Sequence, residues 1–341
     1  MQTKIKFLKI IFLIYLVVLL VMVITFYLVE RGFNNKIILK NEAVLPATVY
    51  FSSLDGLTVS STEKINPSVV GVMIDNHSIA RPQNGLLSAK IVYEAPVEGG
   101  ITRYFAIFDS EQNIEKVGPV RSARPYFIDW LQEYSGLYMH CGGSPEALDI
   151  LKQGSVFDFN EMFNGQYFWR DDNKEAPHNL YTNSDKWNKA LSAHPESKKI
   201  FNNAWKFGKI TSSSLEMVKN VSIEYSSDYI VGWHYDEIQK NYIRYINEVI
   251  SREGENDLVA DSIVIQYVKL RVIDDYGRKE ITTDRQGDLR FLRDGTMVRG
   301  LWKKENGRTR FYNVTGQELN LKPGKVWIQI VPKEINIKIS T

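Results

Sequence analysis

The sequence predicts an α+β protein with an N-terminal transmembrane helix, then a mixed α/β domain and a smaller β-rich C-terminal domain. Three observations lead to this prediction: an apolar run near the N-terminus, strand and helix patterns that alternate in the first half, and closely spaced strand patterns in the second. The chain has 341 residues, of which 44% are apolar and 24% charged, as is typical of folded globular proteins. Ample aromatic residues are available to build the two cores.

Composition excludes several classes of function. The formal net charge is only +2, so no basic surface is indicated and we expect no nucleic-acid partner. The chain has a single cysteine, Cys141, which excludes an intramolecular disulfide framework and any site built from several cysteines. The five histidines are scattered and no metal-ligand spacing occurs, so we expect no metal and no cofactor.

The apolar run Ile10–Val29 has the length of a membrane anchor. A bilayer core of about 30 Å needs about twenty helical residues. Lys4, Lys6 and Lys9 precede the run, which favours a cytoplasmic N-terminus and places the rest of the chain outside the cytoplasm. The alternative is a cleaved signal peptide, whose apolar core of about 7–15 residues would be shorter than this run.

Charge divides the chain into three parts. Residues 1–40 carry six Lys or Arg and one Asp or Glu, residues 41–205 carry fourteen and twenty, and residues 206–341 carry twenty-two and nineteen. The sign of the net charge changes near residue 206. We therefore predict a membrane anchor with flanks over 1–40, a mixed α/β domain over 41–205 and a β-rich domain over 206–341.

Strand and helix patterns alternate in the first domain. Apolar β-branched runs predict strands, and Ser122 and Ser144 are predicted to cap the second and third helices. A loop with two carboxylates, Glu94–Gly100, is expected between the second and third strands. The predicted strands are Val69–Ile74, Lys90–Tyr93, Thr102–Phe108 and Leu137–His140, and the predicted helices are Pro82–Ser88, Tyr126–Tyr134 and Ala147–Lys152.

The second domain is predicted to consist of strands. Asp–Gly, Asn–Gly and Pro–Gly turn signals separate them at intervals that are typical of a sandwich or barrel-like domain. The predicted strands are Ile223–Tyr225, Tyr242–Tyr245, Ser262–Val272, Leu289–Phe291, Thr296–Trp302, Thr309–Tyr312 and Val326–Val331.

Two arginines at a predicted helix start are the densest candidate site. A helix N-terminus exposes unpaired N–H groups, and the guanidiniums of Arg121 and Arg124 beside it would bind phosphate or carboxylate. The alternative is that both form salt bridges with Asp109, Glu94 or Glu98.

Further polar residues follow other strands. The two glycines in the stretch from His140 to Ser144 would let a ligand approach the backbone closely. The alternative is a plain turn in which Ser144 caps the following helix. Asp75, Asn76 and His77 end the first strand, where ligands of α/β sheets bind. Glu94 and Glu98 could act as acid and base, hold a cation, or form structural ion pairs. His178 and Asn179 form a further polar cluster, and the alternative is that they only cap a turn. A Cys141 nucleophile would need His178 or His77 as its base.

A basic stretch, Arg285–Arg310, lies in the second domain. It holds eight Lys or Arg against three Asp or Glu. If they lie on one side of the strands, these side chains would form a positive face toward anionic wall polymer, lipid headgroups or the acidic first domain. The alternative is that they are only solvated on the strand faces.

Several long motifs identify a resemblance that covers about residues 45–332. The sequence resembles the YerB-like lipoprotein family of bacteria, an exported family of unknown function with an N- and a C-terminal domain. The motifs that carry the resemblance are Val70–His77, Arg81–Gln83, Val92–Arg103, Val117–Arg124, His140–Pro145, Ala176–Tyr181 and Gly316–Val331.

The resemblance implies an envelope protein, usually lipid-anchored, with a connection to peptidoglycan synthesis or its regulation. No cysteine lies directly after the apolar run here, so Ile10–Val29 is expected to replace the lipid and to anchor the chain by a single pass in the bacterial cytoplasmic membrane. The expected partners are the membrane and a peptidoglycan precursor or wall synthase. The family offers no catalytic assignment.

The sequence is consistent with three functions. The first is an accessory factor that binds an anionic wall-related ligand or partner. The second is an envelope hydrolase or transferase that uses Asp75, Glu94 or Glu98 with the two arginines, and the third is a structural partner of a wall synthase. The candidate ligand-binding residues are Asp75, Asn76, Arg81, Glu94, Glu98, Arg103, Arg121, Arg124, His140, Ser144 and His178.

Overall fold

The structure, a computed structural model, describes residues 2–36, 48–197, 204–210 and 215–341. It divides into two units, Met1–Thr48 and Val49–Thr341. The first unit contains helix α1, Gln2–Lys36, in which Lys4–Arg31 is long and apolar enough to cross a membrane. The predicted anchor lies wholly within this helix. Residues 37–47, which belong to the predicted flank and the start of the first domain, lie outside the described residues.

The second unit is built mainly of strands. In its first part the strands are β1 Tyr50–Phe51, β2 Thr58–Val59, β3 Val69–Ile74, β4 Ile91–Pro96, β5 Thr102–Asp109, β6 Leu137–His140, β7 Phe157–Asn160, β8 Trp169–Arg170 and β9 Leu180–Tyr181. In its second part they are β10 Glu216–Met217, β11 Asn220–Ser226, β12 Tyr229–Asp236, β13 Asn241–Ile246, β14 Val249–Ile250, β15 Arg252–Glu253, β16 Asn256–Asp257, β17 Val259–Ala260, β18 Ser262–Val268, β19 Leu270–Val272, β20 Lys279–Ile281, β21 Gln286–Arg293, β22 Thr296–Glu305, β23 Arg308–Asn313, β24 Val326–Pro332 and β25 Asn336–Ser340.

The described helices of this unit all precede β10 in the chain. The α-helices are α2 Pro125–Gln132, α3 Pro145–Lys152, α4 Glu161–Asn164 and α5 Ser184–Ala193. Short 3-10 turns occur at Thr62–Lys64, Ser78–Ala80, Glu98–Gly100, Gly165–Tyr167 and Pro195–Ser197.

Eleven strands form one mixed sheet that contains both halves of the sequence. Its order is β10-β22-β21-β18-β24-β4-β5-β3-β6-β7, with β23 paired to β22. Strand β24 lies between β18 and β4 and is parallel to both, with Trp327 beside Val92 and Gln329 beside Glu94. Strands from both 41–205 and 206–341 therefore lie in the same sheet. The division into two domains at these bounds stays a prediction.

A second, six-stranded antiparallel sheet has the order β14-β13-β12-β11-β25, with β17 paired to β13. It covers one face of the large sheet, where the rings of Trp233 and Trp327 lie 5.2 Å apart. Helix α2 covers the other face, where Trp130 stacks on Tyr93 at 4.9 Å. Both faces of the sheet's centre are thus buried, which explains why β3 and β4 are buried along their whole length.

The predicted fold class is confirmed, and so are most of the predicted strands. The apolar helix, the mixed α/β region and the β-rich C-terminal region are all present. The patterns missed several elements, among them strands β7, β12 and β25 and helix α5. Strand β25 is short and its residues are partly or fully exposed, so no buried face marks it in the sequence.

Three local predictions are wrong. No helix occupies 82–88, because Asn84 pairs with Gly118 and Gly85 has φ 92°. Ser122 does not cap α2, because pairing of Ala123 with Gly143 keeps the chain extended as far as Arg124. Glu94 lies inside β4 rather than in a loop, because β4 and β5 pair as far as Pro96.

Candidate functional site

Five charged side chains meet where β3 ends and α2 begins. Arg103 is the second residue of β5, Asp75 follows β3, Glu98 lies in the turn between β4 and β5, and Arg121 and Arg124 precede α2. We call these five residues the arginine cluster. Three guanidiniums and two carboxylates give it a formal charge of +1.

Backbone hydrogen bonds fix the segment that carries Arg121 and Arg124. The Arg121 N–H donates to the Met73 carbonyl at 3.0 Å, and the Cys141 N–H donates to the Arg121 carbonyl at 3.1 Å. On the same segment, the Ala123 N–H donates to Gly142 at 3.0 Å. The segment therefore bridges the carboxyl ends of the parallel strands β3 and β6. The sequence predicted ligand-binding residues at this edge.

Asp75 is the buried carboxylate of the cluster. Its Oδ2 lies 2.6 Å from His178 Nδ1 and 3.1 Å from Arg121 Nε, and its Oδ1 accepts the His77 N–H at 3.0 Å. Burial acts to raise the pKa of Asp75, but the His77 N–H, Arg121 and His178 together hold it below its ordinary value. An ionised Asp75 can only accept a hydrogen bond, so the hydrogen of this bond lies on His178 Nδ1. In the neutral imidazole the lone pair is then on Nε2. The His77 ring stacks on His178 at 4.9 Å.

All three side-chain nitrogens of Arg124 donate to protein partners. Its Nε and Nη2 donate to the two carboxylate oxygens of Glu98 at 2.8 and 2.9 Å, and its Nη1 donates to the Ala123 carbonyl at 2.7 Å. Burial acts to raise the pKa of Glu98, but Arg124 lowers it below its ordinary value. The structure therefore supports the salt-bridge alternative for Arg124.

Arg103 and Arg121 are less fully engaged. Arg103 is 5% exposed, and its Nη1 donates to the Ser122 carbonyl at 2.9 Å. Within the part of the chain that the structure describes, the buried Arg103 Nε has no hydrogen-bond partner. Burial, and then the nearby Arg124 and Arg121, lower the pKa of Arg103 to about 10. Arg121 is about one quarter exposed, and Asp75 is its ion-pair partner.

The stretch from His140 to Ser144, which contains two glycines, is a structural turn. The Ser144 hydroxyl caps α3 as predicted by accepting the Ala147 N–H at 3.3 Å. His140 is buried, with Nδ1 2.7 Å from the Gly142 carbonyl and Nε2 2.5 Å from Asp158 Oδ1. Both ring nitrogens of His140 are therefore occupied by protein partners.

Cys141 is not arranged as a nucleophile. Its Sγ lies 3.4 Å from Glu161 Oε2, and burial and this carboxylate raise the pKa of the thiol. An activated cysteine needs the opposite surroundings, a neighbouring cation that lowers the pKa. The hypothesis of thiol catalysis is not supported.

Glu94 lies apart from the arginine cluster, in a network between the two sheets. Its side chain is completely buried and accepts five hydrogen bonds. The donors are Thr102 Oγ1 at 2.8 Å, Tyr229 Oη at 2.6 Å, Arg244 Nη2 at 2.8 Å, Trp327 Nε1 at 3.0 Å and Gln329 Nε2 at 2.9 Å. We call these six residues the Glu94 network. A carboxylate enclosed in this way has no access to a solute, so Glu94 and Glu98 do not form an acid–base pair.

Asn76 joins the Glu94 network to the cluster region. Its Nδ2 donates to Thr102 Oγ1 at 2.8 Å, and its Oδ1 accepts Arg81 Nε and Gln83 Nε2, each at 3.2 Å. The Arg81 guanidinium lies 5.2 Å from the centre of the Tyr229 ring. Asn76 and Arg81 therefore hold the loop after β3 against the second sheet.

Sequence reasoning missed most of the Glu94 network. Tyr229 lies on β12, which carried no prediction, and Arg244 was read only as part of a strand. One feature of the sequence points to this network. Arg244 is a charged residue at a position of β13 whose side chain, by the alternation of the strand, points inward.

The basic stretch does not form one positive face. Arg293 and Arg308 are buried, and Arg293 Nη1 donates to the Gly208 carbonyl at 2.6 Å. Arg299 pairs with Glu216 at 2.7 Å. Among the described residues, no group of three or more His, Cys, Asp or Glu side chains is arranged to hold a metal ion.

Comparison with known proteins gives consistent matches over both halves of the chain. Residues 54–198 match the family described as "Protein of unknown function (DUF3048) N-terminal domain", and residues 221–328 match the corresponding C-terminal domain. The chain is 36% identical to a Bacillus subtilis protein named "Putative lipoprotein YerB" over 269 residues, which cover 77% of this chain and 81% of the relative.

The fold has also been observed in a solved structure. The crystal structure of YerB protein from Bacillus subtilis matches with a TM-score of 0.76 and 34% identity, covering 84% of this chain and 99% of that one. The motifs that carried the resemblance lie in the strands and turns that build the arginine cluster and the Glu94 network. On these grounds the chain belongs to the YerB-like DUF3048 family, and it contains both domains of that family.

Proposed function

We propose that this protein is a membrane-anchored protein of the bacterial cell envelope that binds an anionic group of its ligand at the arginine cluster. Helix α1 provides the anchor, and a relative named as a lipoprotein supports an envelope location. The soluble unit lies on the extracytoplasmic side. The chain acts as an accessory factor for a peptidoglycan precursor or a wall synthase.

The observation that carries the binding proposal is the incomplete pairing of Arg103. A buried guanidinium normally has most of its N–H groups paired, because an unpaired buried donor costs about 1–3 kcal/mol, and more when charged. The Arg103 Nε has no partner in the described part of the chain. The partly exposed Arg121 offers a second guanidinium beside it. An anion bound there would satisfy these donors and match the +1 charge of the cluster.

The test is thermal unfolding of the full chain in detergent with muropeptides, lipid-linked wall precursors, nucleotides and divalent cations. A ligand at about one hundred times its dissociation constant stabilises the folded state by about 2.7 kcal/mol. We expect a stabilising anion, and we expect Arg121→Gln to abolish its effect. Arg299→Gln, which removes the same charge from an exposed pair, is the matched control. No stabilisation by any compound would contradict the proposal and favour a purely structural partner of a wall synthase.

A second candidate is an envelope hydrolase or transferase, and one observation favours it. Asp75 holds His178 Nδ1 at 2.6 Å, which leaves Nε2 to accept a proton, and the same carboxylate pairs with Arg121 at 3.1 Å. Of the three carboxylates that the sequence suggests for this reaction, only Asp75 fits such a role, since Glu94 is enclosed and Glu98 pairs with Arg124. Mass spectrometry of muropeptides incubated with the chain should then show a product that His178→Gln abolishes and His194→Gln does not. Equal product from both variants would exclude His178 as the base.

A further inference from the structure

A cleft of about 740 Å³ lies between helices α2 and α3 and the hairpin formed by β19 and β20. This volume is within the range of ligand sites in proteins, about 300–1,000 Å³. Asp129 and Gln132 of α2 and Glu146 and Ile150 of α3 form one wall. Residues 279–285 form the opposite wall.

The cleft runs along the edge of β20 rather than over one of its faces. Successive side chains of a strand point to opposite faces. Nevertheless Lys279, Glu280 and Ile281, three consecutive residues, all line the cleft, and so do the four residues that follow. A continuous run of this kind is expected where a cavity follows the backbone along the edge of a strand.

The outer edge of β20 has free hydrogen-bonding groups. The Thr282 N–H donates to the Lys269 carbonyl at 3.0 Å, and the Ile273 N–H donates to Arg278 at 2.9 Å. Hydrogen-bonded pairs alternate along an antiparallel ladder, so the N–H and C=O groups of Lys279 and Ile281 point away from β19. Over the residues that the structure describes, this sheet has two strands, and no hydrogen bond engages those outward groups.

The charges that line the cleft are balanced. Four cationic and four anionic side chains line it, and some are already paired. Thr283 donates to Asp129 at 2.7 Å, and Glu280 pairs with Arg271. A ligand with one sign of charge would meet repulsion from half of this lining. The cationic residues are Lys269, Lys279, Arg285 and Lys304, and the anionic ones are Asp129, Glu146, Glu280 and Asp284.

We propose that this cleft binds an extended peptide segment that adds to β20 as the third strand of the hairpin and carries both acidic and basic side chains. Strand addition of this kind draws affinity from backbone hydrogen bonds and specificity from alternate side chains. An edge strand with free N–H and C=O groups beside a cleft is the geometry that it requires. The inference does not depend on the arginine cluster.

The test measures binding of a fluorescein-labelled ten-residue peptide to the full chain in detergent by fluorescence anisotropy. The peptide alternates Val or Thr with Lys or Glu, and its matched control replaces every second Val or Thr with Pro, which cannot pair as a strand. We expect Lys279→Pro to weaken binding of the first peptide at least tenfold, because it removes an outward N–H. Val272→Pro is the matched variant, because Val272 lies opposite Lys279 on β19 and its outward N–H faces away from the cleft.

Three outcomes would overturn the inference. The first is no binding of the alternating peptide at millimolar concentration, and the second is equal binding by the two proline variants. The third is a change of oligomeric state in Lys279→Pro without a change in peptide binding, which would mean that the edge pairs with a second copy of the chain.

A second measurement decides the question if Lys279→Pro fails to fold. Hydrogen exchange of the Ile281 amide in the unmodified chain should slow at least tenfold when the peptide is added, while exchange of the Val272 amide stays unchanged. Unchanged exchange at Ile281 would contradict strand addition. The same protection should persist in Arg121→Gln, which separates this inference from the anion site proposed above.

Discussion

Glu94 on β4 and Arg244 on β13 form an ion pair between the two sheets, with Oε1 and Nη2 2.8 Å apart and neither side chain exposed. Burial alone would lower the pKa of Arg244, but Glu94 raises it above its ordinary value. Removing one partner of a buried pair leaves an uncompensated charge, which costs about 3–5 kcal/mol. We therefore expect Glu94→Gln to lower the free energy of unfolding by that amount, measured by denaturant unfolding.

Two variants complete this experiment. Glu216→Gln, in an exposed pair with Arg299, should cost about 1 kcal/mol or less. The double variant Glu94→Gln/Arg244→Met should recover part of the loss, because no buried charge is left unpaired. If Glu94→Gln instead left stability intact and abolished a measured turnover, Glu94 would be catalytic and the structural role would be wrong.

The hydroxyl of Tyr229 should contribute to the same network. It donates to Glu94 Oε1 at 2.6 Å and accepts Arg244 Nη2 at 2.9 Å. Tyr229→Phe keeps the ring and removes these bonds, so we expect a loss of about 1–3 kcal/mol in thermal or denaturant unfolding. Tyr276→Phe, at a side chain that is 79% exposed, is the control and should change nothing measurable. Equal effects of the two variants would contradict the assignment.

Lys325 should make stability depend on alkaline pH. Its Nζ donates to the Leu86 and Leu87 carbonyls at 2.5 and 2.7 Å, and burial lowers its pKa to about 7. The unfolded chain, with an ordinary lysine pKa of about 10.4, binds this proton over a range in which the folded chain does not. The free energy of unfolding should therefore rise as the pH increases from about 7 to about 10.

The control for this pH dependence is Lys325→Met, which fills a similar volume without a titrating group. Its stability should vary less over the same range in urea titrations at closely spaced pH values. A slope identical to that of the unmodified chain would assign the dependence to another group.

Asp75 should make the free energy of unfolding depend on pH in the acidic range. Its pKa is lower in the folded chain than the ordinary value of about 3.9, so its contribution to stability is present above that value and is lost as the pH falls through the folded pKa. Asp75→Asn should flatten the loss of stability below about pH 4. Asp109→Asn is a useful comparison, because burial raises the pKa of Asp109 and the dependence should have the opposite sign. Equal slopes for the two variants would contradict this account.

The sequence predicts the fold well where one periodicity is sustained. Short apolar runs rich in β-branched residues, such as Val69–Ile74, predict buried strands, and the Ser144–Pro145 pair marks the start of α3 at the residue where it begins. The order of strands could not be predicted in the same way. Insertion of β24 beside β4 depends on contacts between residues far apart in the chain, and no local pattern records such a pairing.

Most of the candidate residues lie at the ends of predicted strands, and this position predicts the arginine cluster but not the roles of its members. Asp75, Arg103 and Arg121 do come together. Glu94 looked similar in the sequence, yet the register of β4 directs it between the sheets. A difference of one position in a strand reverses the face of a side chain, so pattern alone could not separate a ligand-binding carboxylate from a buried one.

The place of β24 has a consequence for biosynthesis. Translation delivers β4 long before β24, and until β24 arrives one edge of β4 is open and Glu94 lacks Trp327 and Gln329. The nascent chain therefore carries an unpaired strand edge at its centre, and the buried carboxylate of Glu94 lacks two of its five hydrogen-bond donors. A stop codon ahead of Val326 would not trim a tail but would leave the middle of the molecule unfinished.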